Sequence, residues 1–393
     1  MDIWDYNLRH LAAVARIAEL GTMGAAARAV NLTQPALTQA LSRIEAQLGL
    51  PLFERRHDGM VPTTAAALLV PRIRAAMDHA ISQHVTTARL RALLALADHG
   101  SYQGASQATG LAVPTLHRAI KDLSLSLRRA LAERRSNSVV LTEAGHALAR
   151  SFRLARVEIE AGLAEIEALK GREIRRIVVG AMPLSRARVL PAAVTRFLAA
   201  HPRVRIAIAE GSRAELVEPL RNGQIDMMIG ALRDPLLEPD LTQIPLFEDE
   251  PVVVARAGHP LAGVQPTLKD LSGFPWILPA RGAPLRDSWE AMYAESGIDV
   301  PPVPVESGSV MTIRQVLIDS DMLTLVSPDQ VAVELEARWL ASLGPLPRPI
   351  RRVIGVTTRA SWQPTAVQSR FLDDLVQVAP LRRHTSNGLE CSA

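Results

Sequence analysis

Four small or polar side chains at the start of a short helical segment have the chemistry needed to contact DNA bases: Gln34, Pro35, Thr38 and Gln39. A glutamine amide can pair with adenine through two hydrogen bonds in the major groove, and threonine or proline can approach the methyl group of thymine. Helical spacing places Pro35, Gln39 and Arg43 on one exposed face, with Gln34 and Thr38 flanking its N-terminal end. A short helix with such a start suits the major groove.

The surrounding segment predicts two short helices joined by a tight turn and followed by a basic loop that contains Arg55 and Arg56. Thr22 and Thr33 are the expected N-caps, and Pro35 lies in the first turn of the second helix, where its missing N–H costs nothing. Apolar residues of the second helix recur at spacings of four, three and four on one buried face: Leu37, Leu41, Ile44 and Leu48. This spacing fits a helix-turn-helix, but it also fits an ordinary three-helix packing unit.

The stretch LTQPALTQALSRIEAQLGLPLFERR closely resembles, without a gap, the recognition helix and the start of the wing in LysR-type transcriptional regulators. The resemblance implies a winged helix-turn-helix whose recognition helix faces double-stranded DNA, with Arg55 at the base of the wing. Many members have arginine at the position of Gln39, so this chain departs from the pattern there. The predicted DNA-contacting residues of this module are Gln34, Pro35, Thr38, Gln39, Arg43, Arg55 and Arg56.

The same pattern recurs 79 positions later in the chain. The shift aligns the ERR of residues 54–56 with the ERR of residues 133–135, and about a third of the positions between 11 and 69 are identical to their counterparts. Repeated sequence at a fixed spacing indicates repeated structure. We therefore predict a second winged helix-turn-helix at residues 87–142, although LysR-type regulators usually contain one.

The second copy has diverged in its predicted recognition helix, where Gln34 and Arg43 correspond to Val113 and Asp122. It ends in VVLTEAGHAL, which resembles the family's usual exit from the wing into a linker helix. Its cations suit phosphate contacts better than base reading. The alternative role is a spacer or dimerisation unit that has kept the fold. The predicted DNA-contacting residues here are Arg118, Lys121, Arg134 and Arg135.

Two helical connectors follow the modules. Residues 64–86 predict a helix interrupted at Pro71, and residues 143–171 predict one long helix with an apolar stripe at spacings of three and four. The resemblance implies that this linker helix pairs antiparallel with that of a second subunit, giving a homodimer or homotetramer. The alternative is packing against the chain's own modules. The predicted self-association residues are Leu148, Phe152, Ile159, Leu163 and Ile166.

After Gly171 the pattern changes to short apolar strands that alternate with amphipathic helices, as in RRIVVGAM followed by VLPAAVTRFLAAH. Such alternation predicts a parallel sheet covered by helices on both faces. A second run of the same kind begins at PWILPA, and the two runs meet near PVVVARAGHPLAG. We therefore predict two α/β lobes joined by crossover strands, with a cleft between them.

This arrangement resembles the effector-binding domain of LysR-type regulators, which shares the two-lobed fold of type 2 periplasmic solute-binding proteins. GALRDP and SVMTIRQVL resemble one subgroup, the galactose-binding-protein regulators. The predicted fold class is thus all-α with small wings in the N-terminal half and α/β in the C-terminal half. The predicted domains are residues 1–86 and 87–142 for the modules, 143–171 for the linker helix, 172–383 for the effector domain and 384–393 for a flexible tail.

Three loops between strands and helices are expected to line the cleft: MPLSR at 182–186, PARGAP at 279–284 and ESGSV at 306–310. Free N–H groups at helix N-termini favour an anion, and arginine can pair bidentately with a carboxylate. A sugar, sugar acid or aromatic acid is the expected effector. For the arginines the alternative is a solvated surface position, and for the serines plain helix capping. The predicted effector-binding residues are Ser185, Arg186, Arg281, Ser307 and Ser309.

Composition excludes several other classes. The longest apolar runs are well short of the ~18 residues needed to span a membrane, and the start MDIWDYNLRH lacks the apolar region of a signal peptide. The one cysteine, Cys391, excludes an internal disulfide and a cysteine-based metal cluster. Residues 1–172 carry 21 Lys and Arg against 15 Asp and Glu, a net charge of +6, which suits a phosphate-rich partner. We expect a soluble cytoplasmic protein.

No catalytic motif is present: the sequence lacks HExxH, GxSxG, a P-loop and a GxGxxG after a strand. The ten histidines have no metal-ligand spacing, and Asp226 and Glu306, the imaginable carboxylate pair, lie in separate elements. We predict no enzyme activity, no metal and no cofactor. The function predicted is a ligand-responsive DNA-binding transcription regulator. The alternative is an effector-independent architectural DNA-binding protein with a vestigial solute-binding domain, which would have no use for a cleft-forming fold of about 200 residues.

Overall fold

The computed structural model describes residues 6–57, 59–79, 86–135, 138–171 and 176–379. The chain folds as two compact units, Met1–Arg175 and Arg176–Ala393. Their boundary lies four residues beyond the predicted start of the effector domain at 172. The predicted tail at 384–393, with Cys391, and the start of the chain at 1–5 lie outside the described residues.

The N-terminal unit contains the same order of elements twice: three helices, a two-stranded hairpin and a further helix. The first set is α1 Leu8–Leu20, α2 Met23–Ala29, α3 Gln34–Leu48, β1 Phe53–Arg56, β2 Gly59–Pro62 and α4 Thr64–Asp78. The second set is α5 Thr87–His99, α6 Tyr102–Thr109, α7 Val113–Leu127, β3 Ala132–Arg135, β4 Ser138–Leu141 and α8 Glu143–Leu169. Most bounds of the second set lie 79 positions after those of the first.

Local capping explains why the helices begin and end where they do. The hydroxyls of Thr22 and Thr33 accept hydrogen bonds from backbone amides of α2 and α3, as predicted. α1 and α5 both end at a glycine in the left-handed conformation, Gly21 and Gly100. α7 has no side-chain cap, because Ala112 stands where the first set has threonine.

The helix α4 continues through Pro71, so the interruption predicted there does not end the helix. Pro71 lies exposed on α4, where water can satisfy the carbonyl that loses its helical partner. The predicted continuation of this connector at 80–85 lies outside the described residues.

The apolar stripe of α8 is buried within the chain. Phe152, Ile159, Leu163 and Ile166 are each at most 5% exposed, and they belong to one continuous core that includes both sets of elements. The partner of α8 is α4, whose Leu69 and Arg72 lie against Gly162. The prediction that this stripe forms the self-association surface is therefore wrong for these four residues, because α4 already occupies the place assigned to a second subunit. Leu148 is half-buried and packs against the same core.

A buried ion network crosses the contact between α4 and α8. Arg72 Nη1 donates to Glu158 Oε2 at 2.9 Å, and Arg72 Nη2 donates to Glu165 Oε1 at 3.1 Å. Arg72 and Glu158 are each 5% exposed. Burial alone would lower the pKa of Arg72, but the hydrogen bonds and charges of Glu165 and Glu158 outweigh it and raise the pKa above its ordinary value.

The C-terminal unit consists of two α/β lobes. Lobe 1 begins with β5 Arg176–Ala181, α9 Val189–Ala200, β6 Arg205–Glu210, α10 Arg213–Arg221, β7 Met227–Ala231 and β8 Leu241–Asp249. Lobe 2 follows with β9 Val252–Arg256, α11 Leu268–Ser272, β10 Trp276–Leu278, α12 Pro284–Glu295, β11 Val305–Glu306, α13 Val310–Ile318, β12 Leu323–Val326, α14 Ala332–Glu336 and β13 Leu340–Pro345. The chain then returns to lobe 1 with β14 Arg352–Arg359 and α15 Ala366–Val378.

Each lobe contains one five-stranded sheet with a core on both faces, as predicted. The strand orders are β6-β5-β7-β14-β8 in lobe 1 and β11-β10-β12-β9-β13 in lobe 2. The sheets are mixed rather than parallel, because β14 is antiparallel to β7 and β9 is antiparallel to β12. The physical reason is the connection between the lobes: β9 and β14 are the strands by which the chain enters a lobe from the other lobe, and each runs opposite to the neighbouring strand that arrives from a helix of its own lobe.

No helix of the described part of the chain is long and apolar enough to cross a membrane.

Candidate DNA interface and effector cleft

The base-reading side chains predicted at the start of α3 lie on the surface. Gln34, Pro35, Gln39 and Arg43 are exposed. Thr38 is half-buried, and its Oγ1 donates to the Gln34 carbonyl oxygen at 3.0 Å, so its hydroxyl hydrogen is already used within the helix. The opposite face is buried as predicted, with at most 7% exposure, and consists of Leu37, Leu41, Ile44 and Leu48.

Positive charge surrounds the exposed face of α3. Burial lowers the pKa of His10 on α1, and the charges of Arg43 and Arg9 lower it further. Because the ordinary pKa of histidine is already below 7, this lowered pKa leaves His10 neutral near pH 7. Within the described residues Arg43 has no ion-pair partner, so its guanidinium is available to a phosphate.

The wing is the hairpin of β1 and β2, and two contacts hold it against the helices. Glu45 Oε1 on α3 accepts from the backbone N–H of Leu52 at 2.7 Å, and the Met60 N–H donates to the Gly21 oxygen at 2.8 Å. A Cβ at Gly59 would lie 2.5 Å from that same oxygen, and its φ is +140°, so this turn requires glycine. The wing is thus fixed relative to α3.

The two arginines at the base of the wing differ in their surroundings. Arg55 is exposed and, in the described ranges, has no charged partner, whereas Arg56 Nη2 lies 3.0 Å from Glu54 Oε2. An exposed pair of this kind stabilises little and can exchange its partner for a phosphate. Both arginines can therefore act on DNA, with Arg55 the more available.

The second set of elements also exposes cations. Arg118 and Lys121 lie exposed on α7, at the positions that correspond to Gln39 and Ser42 of α3. Arg134 is exposed on β3, and the side chain of Arg135 lies outside the described residues. The structure therefore places fixed positive charge, rather than amides, on the surface of α7.

In the C-terminal unit, the loops predicted to line the cleft follow the carboxyl ends of parallel strands. The turn Pro183–Arg186 follows β5, and the loops after β10 and β11 meet through the Ser307 N–H, which donates to the Leu278 oxygen at 2.9 Å. The lobes approach each other here, since a Cβ at Gly308 would lie 3.5 Å from Pro183 Cγ. Loops of both lobes therefore meet at one cleft, where ligands of such sheets are expected.

The predicted serines serve local structure in this conformation. Ser185 is fully buried, and its Oγ donates to the Met182 oxygen at 2.8 Å. Ser309 is the N-cap of α13 and accepts from the Thr312 N–H, while Ser307 Oγ accepts from the Ser309 N–H at 3.1 Å. Ser307 and Ser309 thus lie together at the N-terminus of α13, where an anion is favoured.

The predicted arginines occupy different environments. Arg186 forms an ion pair with Glu210, so a ligand carboxylate would have to displace that partner. Arg281 is exposed at the rim, with its Nε 3.9 Å from Glu290 Oε1. A third arginine, Arg286, is buried and holds Glu290 at 2.7 Å and Glu306 at 3.3 Å, which fixes the loops that carry Arg281 and the serines.

Sequence reasoning missed Arg233, which lies just beyond the carboxyl end of β7. It is half-buried, and in the described part of the chain its guanidinium has no ion-pair partner. Burial lowers the pKa of Arg233, the positive Arg213 lowers it further, and Asp287 of lobe 2 opposes the shift. The signal available in the sequence was its place in GALRDP, directly after a predicted strand. Arg233 offers an anion site at the lobe 1 edge of the cleft.

Ion pairs also connect the lobes directly. Arg188 of lobe 1 lies 3.6 Å from both Asp329 and Glu336 of lobe 2. The three side chains are 32–75% exposed, so these ion pairs stabilise this lobe angle only weakly and allow it to change.

The two carboxylates considered for catalysis have structural partners. Asp226 is buried in lobe 1 and accepts from the Val178 N–H at 2.8 Å, and burial raises its pKa against the opposing effect of that bond and of Arg359. Glu306 belongs to lobe 2 and pairs with Arg286. Over the described ranges, no group of acidic, histidine and cysteine side chains has the arrangement of a metal site.

Two family models match the chain. The model for the LysR substrate binding domain matches residues 170–380. The model for the bacterial regulatory helix-turn-helix protein of the lysR family matches twice, at residues 8–67 and 87–146. The two helix-turn-helix matches begin 79 residues apart and coincide with the two sets of elements in the N-terminal unit.

A curated relative and two solved structures extend these matches. The HTH-type transcriptional regulator GalR of Pseudomonas putida is 34% identical over 374 residues, which cover 92% of this chain and 94% of the relative. A full-length OxyR variant from Pseudomonas aeruginosa has a TM-score of 0.56 at 22% identity, and its match covers 76% of this chain and 96% of that one. LysG from Corynebacterium glutamicum with bound effector Arg has a TM-score of 0.54 at 19% identity, with 75% and 97% covered. The solved structures support the fold.

Proposed function

The chain belongs to the LysR family of bacterial regulatory proteins, and we propose that its N-terminal unit carries two tandem winged helix-turn-helix modules with unequal roles on DNA. It is a ligand-responsive transcription regulator and not an enzyme. The observation that carries the proposal is the exposed start of α3, where amide and small side chains stand above a buried apolar face and beside a fixed wing.

In this proposal the first module reads sequence and the second supplies affinity. Gln34 and Thr38 of α3 contact bases, while Arg43, Arg55 and Arg56 hold phosphates. The second module contributes phosphate contacts through Arg118, Lys121, Arg134 and Arg135. Phosphate contacts fix position without reading sequence, whereas contacts to base edges provide discrimination.

Replacing Gln34 by alanine is expected to reduce discrimination between an operator and scrambled DNA by about 1–3 kcal/mol, because a bidentate base contact is lost. Arg55→Ala serves as the matched control: it should weaken binding to both DNAs alike and reduce the salt slope of log K by about one. The measurement is fluorescence anisotropy with an operator selected in vitro from random DNA. Equal losses on both DNAs for Gln34→Ala would contradict the role of α3 in base reading.

We further propose that the effector binds where the two lobes meet, and that it is a small sugar acid, sugar or aromatic acid. The supporting features are the anion-favouring start of α13, the rim position of Arg281 and the unpaired Arg233 on the opposite edge. Binding between lobes would alter their angle and thereby the DNA-binding unit. The GALRDP and SVMTIRQVL motifs support assignment to the galactose-binding-protein-regulator subgroup.

Replacing Arg233 by alanine is expected to weaken binding of an acidic effector by roughly 10- to 100-fold, because a charge-assisted bond to its carboxylate is lost. A thermal-shift screen of D-galactose, D-galactonate and 4-hydroxybenzoate would supply the ligand for isothermal titration, with Arg281→Ala and Ser309→Ala tested beside it. Arg348→Ala, on an exposed surface arginine outside the proposed site, is the control. Unchanged affinity in all three cleft variants would place the effector elsewhere.

A further inference from the structure

The helices α4 and α8 pack closely against each other and run in opposite directions. Gly162 of α8 lies against α4 so closely that a Cβ there would be 2.9 Å from Leu69 Cδ1 and 3.0 Å from Arg72 Cβ. The helices run antiparallel, because the chain beside the start of α4 lies against the end of α8. The Thr63 hydroxyl, which caps α4, donates to the Pro51 oxygen at 2.8 Å, and a Cβ at nearby Gly49 would be 3.9 Å from Lys170 Nζ. The absence of a side chain at Gly162 thus lets the two helices approach closely.

The register of this pair brings equivalent positions together. Leu69 faces Gly162, so the residues seven positions further along α4 and seven positions earlier along α8 also face each other in an antiparallel pair. These residues are Ala76 and Ala155, and both are fully buried. They are 79 positions apart, which is the spacing of the repeat. A residue that meets its own equivalent is the property of a contact with twofold symmetry.

We propose that one chain forms by itself the two-headed DNA-binding unit that two subunits form when each has a single module. In this unit α4 takes the place of the second subunit's linker helix. A local twofold axis, which passes near Ala76 and Ala155, relates the two modules. The inference rests on the proposed function only for the statement that both heads meet DNA. Any self-association of this regulator then uses surfaces other than the α8 stripe.

The DNA partner that fits this unit is a duplex with two adjacent but unequal half-sites. A homodimer presents identical recognition helices and selects a palindrome. Here α3 presents Gln34 and Thr38, whereas α7 presents Arg118 and Lys121. One half-site is therefore specified by its bases and the other is held by its phosphates. Because both heads belong to one chain, the second contact forms within the bound complex and does not depend on protein concentration.

A disulfide across the symmetry point tests whether the pairing lies within one chain. In a Cys391→Ser background, which removes the native cysteine, Ala76→Cys and Ala155→Cys are introduced together and oxidised with copper phenanthroline. The expected product is a crosslinked monomer on a non-reducing gel, with a mass two hydrogens below the reduced form. Leu69→Cys with Gly162→Cys provides a second pair in case the alanine positions do not tolerate sulfur.

Single-cysteine variants separate this arrangement from pairing between subunits. If α8 pairs with α8 of another chain, Ala155→Cys alone places two equivalent thiols together and yields a covalent dimer. The proposal expects no covalent dimer from Ala155→Cys alone or from Ala76→Cys alone. Covalent dimers from either single variant, or a folded double variant of both pairs that forms no intrachain bond, would overturn it.

The crosslinked monomer is then bound to DNA selected in vitro from a random pool. We expect the crosslinked monomer to keep its affinity for DNA within about twofold of the reduced form. We also expect the selected motif to have one half with specified bases. A crosslinked monomer that binds no DNA would refute the proposed DNA-binding roles while leaving the intrachain pairing intact. Interchain crosslinks in a protein that binds DNA would refute the pairing while leaving those roles intact.

Discussion

Replacing Arg72 by methionine is expected to lower the free energy of opening the α4–α8 contact by about 3–5 kcal/mol, because it leaves two buried carboxylates without their cation. Arg72 donates to Glu158 at 2.9 Å and to Glu165 at 3.1 Å, and its side chain is 6% exposed. Surface ion pairs contribute far less, since water replaces the lost partner. The large effect therefore depends on burial.

Hydrogen exchange followed by mass spectrometry on peptides from α4 and α8 is the appropriate measurement. The chain has two compact units, so a single global unfolding transition would not isolate this contact. Arg74→Met is the matched control: Arg74 is exposed on the same helix, and its replacement should change the opening free energy by no more than about 0.5 kcal/mol.

A triple variant separates the cost of unpaired charge from the loss of the network itself. Arg72→Met combined with Glu158→Met and Glu165→Met should recover much of the lost stability, because apolar side chains can replace a buried ion network without penalty. If Arg72→Met lowers the free energy of opening no more than Arg74→Met does, the ion network is not buried in solution. The close contact of α4 with α8 would then be wrong.

The local features of the N-terminal unit were predictable because each depends on neighbouring residues. The caps at Thr22 and Thr33 and the buried face of α3 follow from residue types within one or two helical turns. The second set of elements was predictable for a different reason: a repeat of 79 positions carries the information of the first set with it.

The partner of the α8 stripe was not predictable in the same way. An amphipathic pattern shows that the apolar face of a helix must pack against something, but it does not identify the element that packs there. The packing partner is α4, and the hydrogen bond from Arg72 to Glu158 joins residues 86 positions apart. The signals present in the sequence were Gly162, a poor helix former in mid-helix, and the acidic Glu158 and Glu165 on the border of an apolar stripe.

In the cleft, sequence located the loops but not the state of their side chains. The loops at the carboxyl ends of strands were predicted, and the structure brings those of both lobes together. Whether an arginine is free depends on which acid lies beside it: Arg186 is paired with Glu210, whereas Arg233 has no such partner among the described residues. The direction of β9 and β14 likewise depends on where the chain crosses between the lobes. A local sequence pattern does not show this.

Replacing Arg118 and Lys121 together by alanine is expected to weaken DNA binding by on the order of 100-fold at 50 mM salt, and to reduce the slope of log K against log salt by about two. Each phosphate contact adds about 0.9 to that slope, which corresponds to about tenfold in affinity per contact between 1 M and 50 mM salt. Both side chains are exposed on α7, with no ion-pair partner in the part of the chain that the structure describes.

The loss should not depend on sequence, because phosphates carry no base information. The test compares a long operator with one trimmed to the half-site of the first module, across a series of salt concentrations. Lys269→Ala with Arg370→Ala is the control: it removes two exposed positive charges from the C-terminal unit and should leave the slope unchanged. If the wild-type protein prefers the long operator and the double variant on α7 does not, the second module holds DNA. If slope and footprint are unchanged in a folded protein, Arg118 and Lys121 do not touch DNA, and the second module serves as the structural counterpart that completes the α4–α8 pair.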